Sequence, residues 1–144
     1  MRIEGEWLLF DDGMARPVIR GGIMTGGGGW QPAEFLVDTG ADRTVFSAAT
    51  LSKLGLPLVA SEERIGGLGG LADSVVVETQ IRLTHETARP TVFRGQFAAA
   101  TEIDALDVNV LGRDITGLFA VIVDQLGEVV CLLSQRHRYS IEQT

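Results

Sequence analysis

The sequence predicts an all-β fold, and three observations support this prediction. Residues 75–83 place apolar side chains and Thr on one side and mostly polar side chains on the other, which is the period-2 pattern of a half-buried strand. Short apolar runs recur along the chain between glycine-containing turns. Only two segments look helical. Many short strands with little helix are typical of β-sandwiches and barrels.

The predicted strands are short and follow one another along the whole chain. They cover residues 7–10, 17–24, 33–37, 75–83, 91–97, 108–111, 119–123 and 129–133. Turn-forming residues separate them, among others at residues 11–13, 26–29 and 125–127. No internal repeat and no linker divides the chain, so we expect one domain over residues 1–144.

Two short helices are predicted. Ser47 is suited to cap a helix over residues 48–54, because its hydroxyl can accept a hydrogen bond from a free amide of the first turn. Gly55 and Pro57 follow, which is the pattern that ends a helix. Residues 113–118 form the second predicted helix, which Gly117 weakens.

Composition limits the function classes. The 144 residues are 45% hydrophobic and 22% charged, enough to bury a core, and the net charge of −7 argues against nucleic acid as a partner. Apolar runs are too short to span a bilayer, so we expect no membrane partner. The first residues have no apolar signal core, and the lone Cys131 cannot form an intrachain disulfide. We therefore expect a cytoplasmic, reducing location.

The segment around Asp38 is the one that indicates chemistry. A predicted apolar strand ends at Asp38, and Thr39 and Gly40 follow it. A carboxylate at the end of an apolar strand is costly unless it is paired or functional. Asp-Thr-Gly is also an ordinary turn sequence, so on its own it leaves a turn and an active site equally open.

Two further segments bear on this choice. Residues 64–71 read Arg-Ile-Gly-Gly-Leu-Gly-Gly-Leu, and paired glycines around one apolar residue suit a hairpin tip whose backbone amides can meet a ligand. Residues 108–114 read Val-Asn-Val-Leu-Gly-Arg-Asp, an apolar strand that runs into a glycine turn and a charged pair.

Taken in this order, the three segments resemble those of the retropepsins, the single-domain aspartic proteases of retroviruses and their cellular relatives. The resemblance covers about residues 17–133 and implies a closed acid-protease barrel with a flap hairpin and one or two short helices. The segment after Arg113 is longer than in the viral enzymes and is closer to cellular and bacterial members. This length puts in doubt whether interleaved chain termini hold the dimer together.

The resemblance implies a role for the residues of each segment. Asp38 would be the catalytic carboxylate, Thr39 would tie two catalytic loops together, and Gly40 would lie beside the scissile bond. Arg113 would support the site through an ion pair with Asp42. The residues implied in substrate binding are Ala41, Asp42, Ile65, Gly66, Gly67, Leu68, Val108 and Val110.

This chemistry needs two carboxyl groups, whereas the chain has one Asp-Thr-Gly. One carboxyl holds a proton while the other takes a proton from the attacking water, and such a pair shares one proton because both cannot stay ionised side by side. A homodimer with twofold symmetry would place two copies of Asp38 together. The predicted function is that of an aspartic endopeptidase acting on peptides or proteins, with no cofactor and no metal.

One alternative to the enzyme is serious, namely an inactive binding module. The same fold can serve as a dimerisation or peptide-binding module without activity, because fold does not dictate function. The intact Asp38-Thr39-Gly40 and the complete flap segment favour the enzyme. Residues 67–72 match a dinucleotide-binding pattern but precede a strand instead of a helix. His85 and His137 have no ligand-spaced partner for a metal.

Overall fold

The structure is a computed structural model that describes residues 1–67, 70–84, 89–134, 140 and 142–143. Strands form most of it. They are β1 (Arg2–Glu4), β2 (Glu6–Leu9), β3 (Ala15–Met24), β4 (Trp30–Val37), β5 (Val45–Phe46), β6 (Val59–Gly67), β7 (Gly70–Leu83), β8 (Thr91–Ala100), β9 (Asn109–Leu111), β10 (Ala120–Asp124) and β11 (Val129–Leu133). Two single-turn helices, α1 (Ala48–Leu51) and α2 (Arg113–Thr116), and a 3-10 turn (Ile103–Ala105) join them.

The strands form two sheets. The larger has the order β2-β3-β4-β9-β5-β8-β7-β6, and the smaller has the order β1-β11-β10. Most neighbours are antiparallel, whereas β4 with β9 and β5 with β8 are parallel. Strand β3 also pairs with β7, with Ile23 opposite Ile81. The predicted all-β class with two short helices is confirmed, and the closure of the barrel stays a prediction.

Strand β9 lies between β4 and β5 and positions the site. Val110 is opposite Leu36 of β4 in a parallel pair and opposite Val45 of β5 in an antiparallel pair. The chain therefore leaves β4, crosses the end of β9 through residues 38–44, and returns on the other side as β5. This crossing brings residues 38–44 against Gly112 and α2.

One core supports both sheets. Phe35, Phe46 and Phe97 form a chain of aromatic contacts inside the larger sheet, with ring centroids 6.4 Å and 5.6 Å apart. Ile3 and Leu132 of the smaller sheet are fully buried in the same hydrophobic cluster. Burial of such side chains supplies most of the favourable free energy of folding, so the smaller sheet is a fixed part of the domain.

Both helices are shorter than the sequence predicts. The Ser47 hydroxyl accepts a hydrogen bond from Thr50 N–H at 3.2 Å, as a cap should. The chain then tightens into turns, because Leu54 N–H donates to Leu51 C=O at 3.1 Å, three residues back. Helix α2 ends in the same way, with Leu118 N–H donating to Ile115 C=O at 3.0 Å. Over the described ranges, no helix has the length and apolar character needed to cross a membrane.

The hairpin expected near the end of the chain is present as β10 and β11, with Ile122 opposite Cys131. Strands β1 and β5 and most of β6 were not expected. Strands β1 and β5, with three and two residues, are too short to show a periodicity.

Candidate active site

Asp38 lies directly after β4, where the chain leaves the sheet. Val37 before it is buried, and Asp38 itself is half-buried. Asp38 N–H donates to the carbonyl of Leu111 at 3.2 Å, which ties it to the end of β9. Its own carbonyl accepts from Ala41 N–H at 3.2 Å, which closes a tight turn. The backbone of Asp38 is therefore fixed to a central strand.

The carboxylate of Asp38 is held by the backbone of its own turn. Its Oδ1 accepts a hydrogen bond from Gly40 N–H at 2.9 Å. A Cβ atom added to Gly40 would lie 3.2 Å from this oxygen, a tighter contact than most side chains make. In the part of the chain that the structure describes, no cationic side chain lies within ion-pair distance of Asp38. The carboxylate is therefore oriented without being neutralised.

Arg113, the first residue of α2, holds the loop that follows Asp38. Its Nη1 donates to the carbonyl of Thr39 at 3.2 Å, and its Nη2 forms an ion pair with Oδ1 of Asp42. Its backbone N–H donates to the carbonyl of Ala41 at 2.8 Å. Three contacts from one residue thus fix residues 39–42, and the structure contains the ion pair that the resemblance implies.

A second anchor joins α2 to the start of β5. Thr44 is fully buried, and its hydroxyl donates to Oδ1 of Asp114 at 2.7 Å while accepting from Gly112 N–H at 3.1 Å. The Asp114 carboxylate also accepts from Thr44 N–H at 3.0 Å and from Ile115 N–H at 2.9 Å. This network fixes the end of the loop, whereas Arg113 fixes its middle.

Gly112 allows the two segments to meet. A Cβ atom at this position would lie 2.2 Å from the carbonyl carbon of Arg43, which is impossible without a shift of the backbone. Neither Thr44 nor Asp114 was predicted as a site residue from the sequence. The charged pair after Gly112 was a partial signal for Asp114, but a lone threonine before an apolar pair gives no sign that its hydroxyl is buried.

The predicted flap corresponds to the end of the β6–β7 hairpin. Gly67 pairs with Gly70, and Ile65 pairs with Ala72. Leu68 lies outside the described residues.

The hairpin and the loop over residues 38–44 face one cavity. Gly40, Ala41 and Asp42 line this cavity of about 330 Å³ together with Arg64 and Gly66 of β6. The fold thus brings the first two of the three sequence segments together around this cavity.

Two predicted pocket residues lie elsewhere in the single chain. Val110 is 8% exposed and lies in β9, where it pairs with β4 on one side and β5 on the other. Val108 lines another cavity of about 380 Å³, together with Pro32 and Thr50. Their contact with substrate stays a prediction. Within the described ranges, no three His, Cys, Asp or Glu side chains come close enough together to hold a metal ion.

An Asp-Thr-Gly loop at the end of a buried strand, a Gly-Arg-Asp anchor and a facing glycine-rich hairpin are typical of the retropepsin-like class of aspartic proteases. A sequence model of the family described as Aspartyl protease matches residues 22–115, which is more than half of the chain. The chain therefore belongs to the aspartyl protease family. The matched segment includes Asp38 and Arg113, so the predicted relationship to retropepsins is confirmed.

A solved structure agrees with this assignment. The EIAV protease complexed with the inhibitor HBY-793 is similar to the chain with a TM-score of 0.55 and 26% sequence identity, over 71% of this chain and 86% of that one. A comparison with curated proteins finds no match. A closer relationship to cellular and bacterial members than to viral ones stays a prediction.

Proposed function

We propose that the chain is an aspartic endopeptidase whose active site forms at the interface of a homodimer. The observation that carries this proposal is the state of Asp38. Its carboxylate is half-buried, oriented by Gly40 N–H at 2.9 Å, and has no cationic partner among the described residues. A carboxylate held in this way can exchange a proton with a water or with a second carboxyl group.

The proposed reaction uses two copies of Asp38. The ionised carboxylate takes a proton from a water molecule, whose oxygen forms a bond to the carbonyl carbon of the peptide. The protonated carboxyl donates its proton to the carbonyl oxygen, so a neutral gem-diol results. The carboxyl that gained the proton of the water then gives it to the peptide nitrogen, the other carboxylate takes a proton from a gem-diol hydroxyl, and the C–N bond breaks. Each carboxyl returns to its starting state, and no covalent intermediate forms.

Thr39 and the loop anchors support the dimeric site. Thr39 is exposed, while its carbonyl is fixed by Arg113. We therefore assign the Thr39 hydroxyl to the contact between the two catalytic loops. The anchors by Arg113 and by Thr44 with Asp114 hold each carboxylate in place before substrate binds, which is how enzymes reduce the cost of reaching the transition state.

We assign substrate binding to the cavity between the loop and the hairpin. Gly40, Ala41 and Asp42 line one side of this cavity, and Gly66 lines the other. The hairpin residues Ile65, Gly67 and Leu68 would offer backbone groups to a bound peptide. We assign Val108 and Val110 to substrate side-chain pockets of the assembled dimer.

The proposal includes a cytoplasmic location, because the lone Cys131 is free and buried and the chain therefore needs no oxidising compartment. The net charge of −7 favours protein substrates over nucleic acid.

The decisive experiment is cleavage of a peptide library by the wild type and by Asp38→Asn at several pH values. We expect cleavage by the wild type only. Its specific activity should fall on dilution, because a single subunit supplies only one of the two carboxyl groups. If both proteins dimerise and bind peptide but neither cleaves, the chain is a silent binding module. Full specific activity at concentrations where the protein is shown to be monomeric would contradict the shared site.

A further inference from the structure

The cavity between the loop over residues 38–44 and the hairpin carries charges that the proposed reaction does not use. Of the described side chains that line this cavity of about 330 Å³, three are charged, namely Asp42, Arg43 and Arg64. Two of the three are cationic. Neither arginine takes part in the proton transfers assigned to Asp38, so both are available for recognition of the substrate.

The acidic side chain among these three is already paired. Oδ1 of Asp42 forms an ion pair with Nη2 of Arg113, and Nη1 of the same arginine donates to the carbonyl of Thr39 at 3.2 Å. Arg113 belongs to α2 and is not part of the cavity lining, so it neutralises Asp42 from outside the cavity. Among the described side chains, the lining of the cavity therefore has an excess of positive charge.

Arg43 has a fixed backbone and an exposed side chain. It lies between Asp42, whose carboxylate is ion-paired with α2, and Thr44, which is fully buried and hydrogen-bonded to Asp114 at 2.7 Å. Its carbonyl packs so closely against Gly112 that no side chain would fit there. A cation on such a backbone is placed before the ligand arrives, which reduces the conformational freedom lost on binding.

Arg64 lines the cavity from the hairpin side. It lies in β6 opposite Asp73 of β7, and its Nε is 3.6 Å from Oδ1 of that aspartate. The two side chains are 63% and 73% exposed, and an exposed ion pair of this length contributes little to stability. A guanidinium group also has several N–H donors in different directions. Arg64 can therefore bind a second carboxylate at little cost.

We propose that this cavity selects peptides with an acidic side chain near the bond that is cut, and that Arg43 and Arg64 bind its carboxylate; this inference rests on the proposed function. Guanidinium groups bind carboxylates through parallel, charge-assisted hydrogen bonds, which are stronger than hydrogen bonds between neutral groups. One arginine belongs to the loop and the other to the hairpin. A carboxylate bound to both would join the two sides of the cavity.

The charge of the whole chain makes this recognition a local effect. The net charge is −7, so the protein as a whole does not attract acidic peptides. Salt screens exposed charges beyond about 8 Å at physiological ionic strength. An acidic side chain is therefore favoured only where it contacts the two arginines. A lysine in the same place would meet two like charges, and this repulsion adds to the selectivity.

Peptides that differ at a single position test this specificity. One cleaved peptide is made with Glu, Gln or Lys at each position near the cut in turn, and kcat/KM is measured for every peptide. At one position or more we expect kcat/KM for Glu to exceed that for Gln by about tenfold, and that for Lys by more. The preference should shrink as salt is added. Equal values for Glu, Gln and Lys at every position would overturn the inference.

Charge reversal assigns the preference to the two arginines. In Arg43→Glu the ratio of kcat/KM for Glu and Lys peptides should invert to favour Lys, and Arg64→Gln should lower the ratio for Glu and Gln peptides about threefold. The matched control is Arg94→Glu, which changes the net charge equally at an exposed arginine of a different cavity and should leave the ratios unchanged. Each ratio compares peptides cleaved by one protein, so a general loss of activity cancels. An unchanged ratio in Arg43→Glu, or the same inversion in Arg94→Glu, would overturn the assignment.

Peptide binding separates this inference from the proposed function. Fluorescence anisotropy of labelled Glu and Lys peptides with Asp38→Asn measures affinity without cleavage, and we expect the Glu peptide to bind about tenfold more tightly. This result supports the acidic specificity even if the wild type cleaves nothing, which would overturn the protease alone. Cleavage by the wild type with equal binding of both peptides overturns the specificity alone. Neither cleavage nor binding of any peptide overturns both.

Discussion

The turn at Asp12 and the loop at Asp38 begin alike and end differently. In both, a carboxylate accepts a hydrogen bond from the backbone N–H two residues further on, Met14 in one case at 3.0 Å and Gly40 in the other at 2.9 Å. Arg16 then donates to both carboxylate oxygens of Asp12. Asp38 has no such partner in the described part of the chain. The same local turn thus holds a carboxylate that is paired with an arginine in one place and a carboxylate without a cationic partner among the described residues in the other.

The two turns also differ in what holds them. The Asp12 turn is closed by its sequence neighbours, with Phe10 N–H donating to Met14 C=O at 3.0 Å and the Arg16 guanidinium 4.7 Å from the centre of the Phe10 ring. The Asp38 loop is held by residues about seventy positions away, through Arg113 and Asp114. A remote anchor can fix a carboxylate without placing a cation on it.

Replacement of Asp38 or of Asp12 by asparagine gives the largest expected difference in kcat/KM. Asp38→Asn should lower kcat/KM by about 1,000-fold or more, since proton transfer by a positioned carboxyl contributes this order of magnitude. Asp12→Asn removes a carboxylate in a similar turn and should leave kcat/KM within about twofold, because surface substitutions away from a site have small effects. Steady-state cleavage of one peptide by both variants measures the contrast. Equal losses would mean that the two turns do not differ in function.

Substitution of Gly40 should affect kcat, whereas substitution of Gly13 should affect the free energy of unfolding. Gly40→Ala places a Cβ atom 3.2 Å from Oδ1 of Asp38, so we expect kcat to fall about 10-fold to 100-fold as the carboxylate moves. Gly13 has φ +81° and open space around it, so Gly13→Ala should lower the free energy of unfolding by about 1 kcal/mol through backbone strain. Urea unfolding of Gly13→Ala measures the change in stability, and steady-state cleavage by Gly40→Ala measures the change in kcat. A Gly40→Ala variant with normal kcat would contradict the proposed role of Gly40.

Substitutions of Arg113 and Arg16 should differ less in their effect on kcat. Arg113→Gln removes the contacts to Thr39 and Asp42 but leaves the backbone hydrogen bond to Ala41, so kcat should fall about tenfold as the loop loosens. Arg16→Gln leaves residues 38–44 untouched and should not change kcat. If the two substitutions lower kcat to the same extent, the remote anchor has no special role.

The smallest effect concerns pH. Hydrogen bonds from Arg16, and then from Met14 N–H, lower the pKa of Asp12 from 3.8 to about 2. Because the charged form is favoured in the folded state, its contribution to stability is complete above pH 4 and is lost as the pH falls towards 2. NMR titration of the Asp12 carboxyl measures this pKa directly. In Arg16→Gln the pKa should return towards its ordinary value, and an unchanged value would disprove the assigned cause.

The features that could be predicted from the sequence are those that depend on residues close together along the chain. The strand over residues 75–83 follows from its alternation, and Asp38 and Arg113 follow from short motifs. Thr44 and Asp114 were missed, because their hydrogen bonds join segments seventy positions apart. The pairing of β1 with β11 was missed for the same reason, since it joins the two ends of the domain. Local pattern reveals which residues are special, whereas the partners that fix them depend on the tertiary fold.

The insertion of β9 between β4 and β5 has a consequence for synthesis of the protein. The loop after Asp38 cannot be fixed until residues 109–114 have left the ribosome and entered the gap between two strands made much earlier. Pairings between distant segments form late, because the chain between them must first close a long loop. The nascent chain therefore carries Asp38 long before the loop that orients its carboxylate can form.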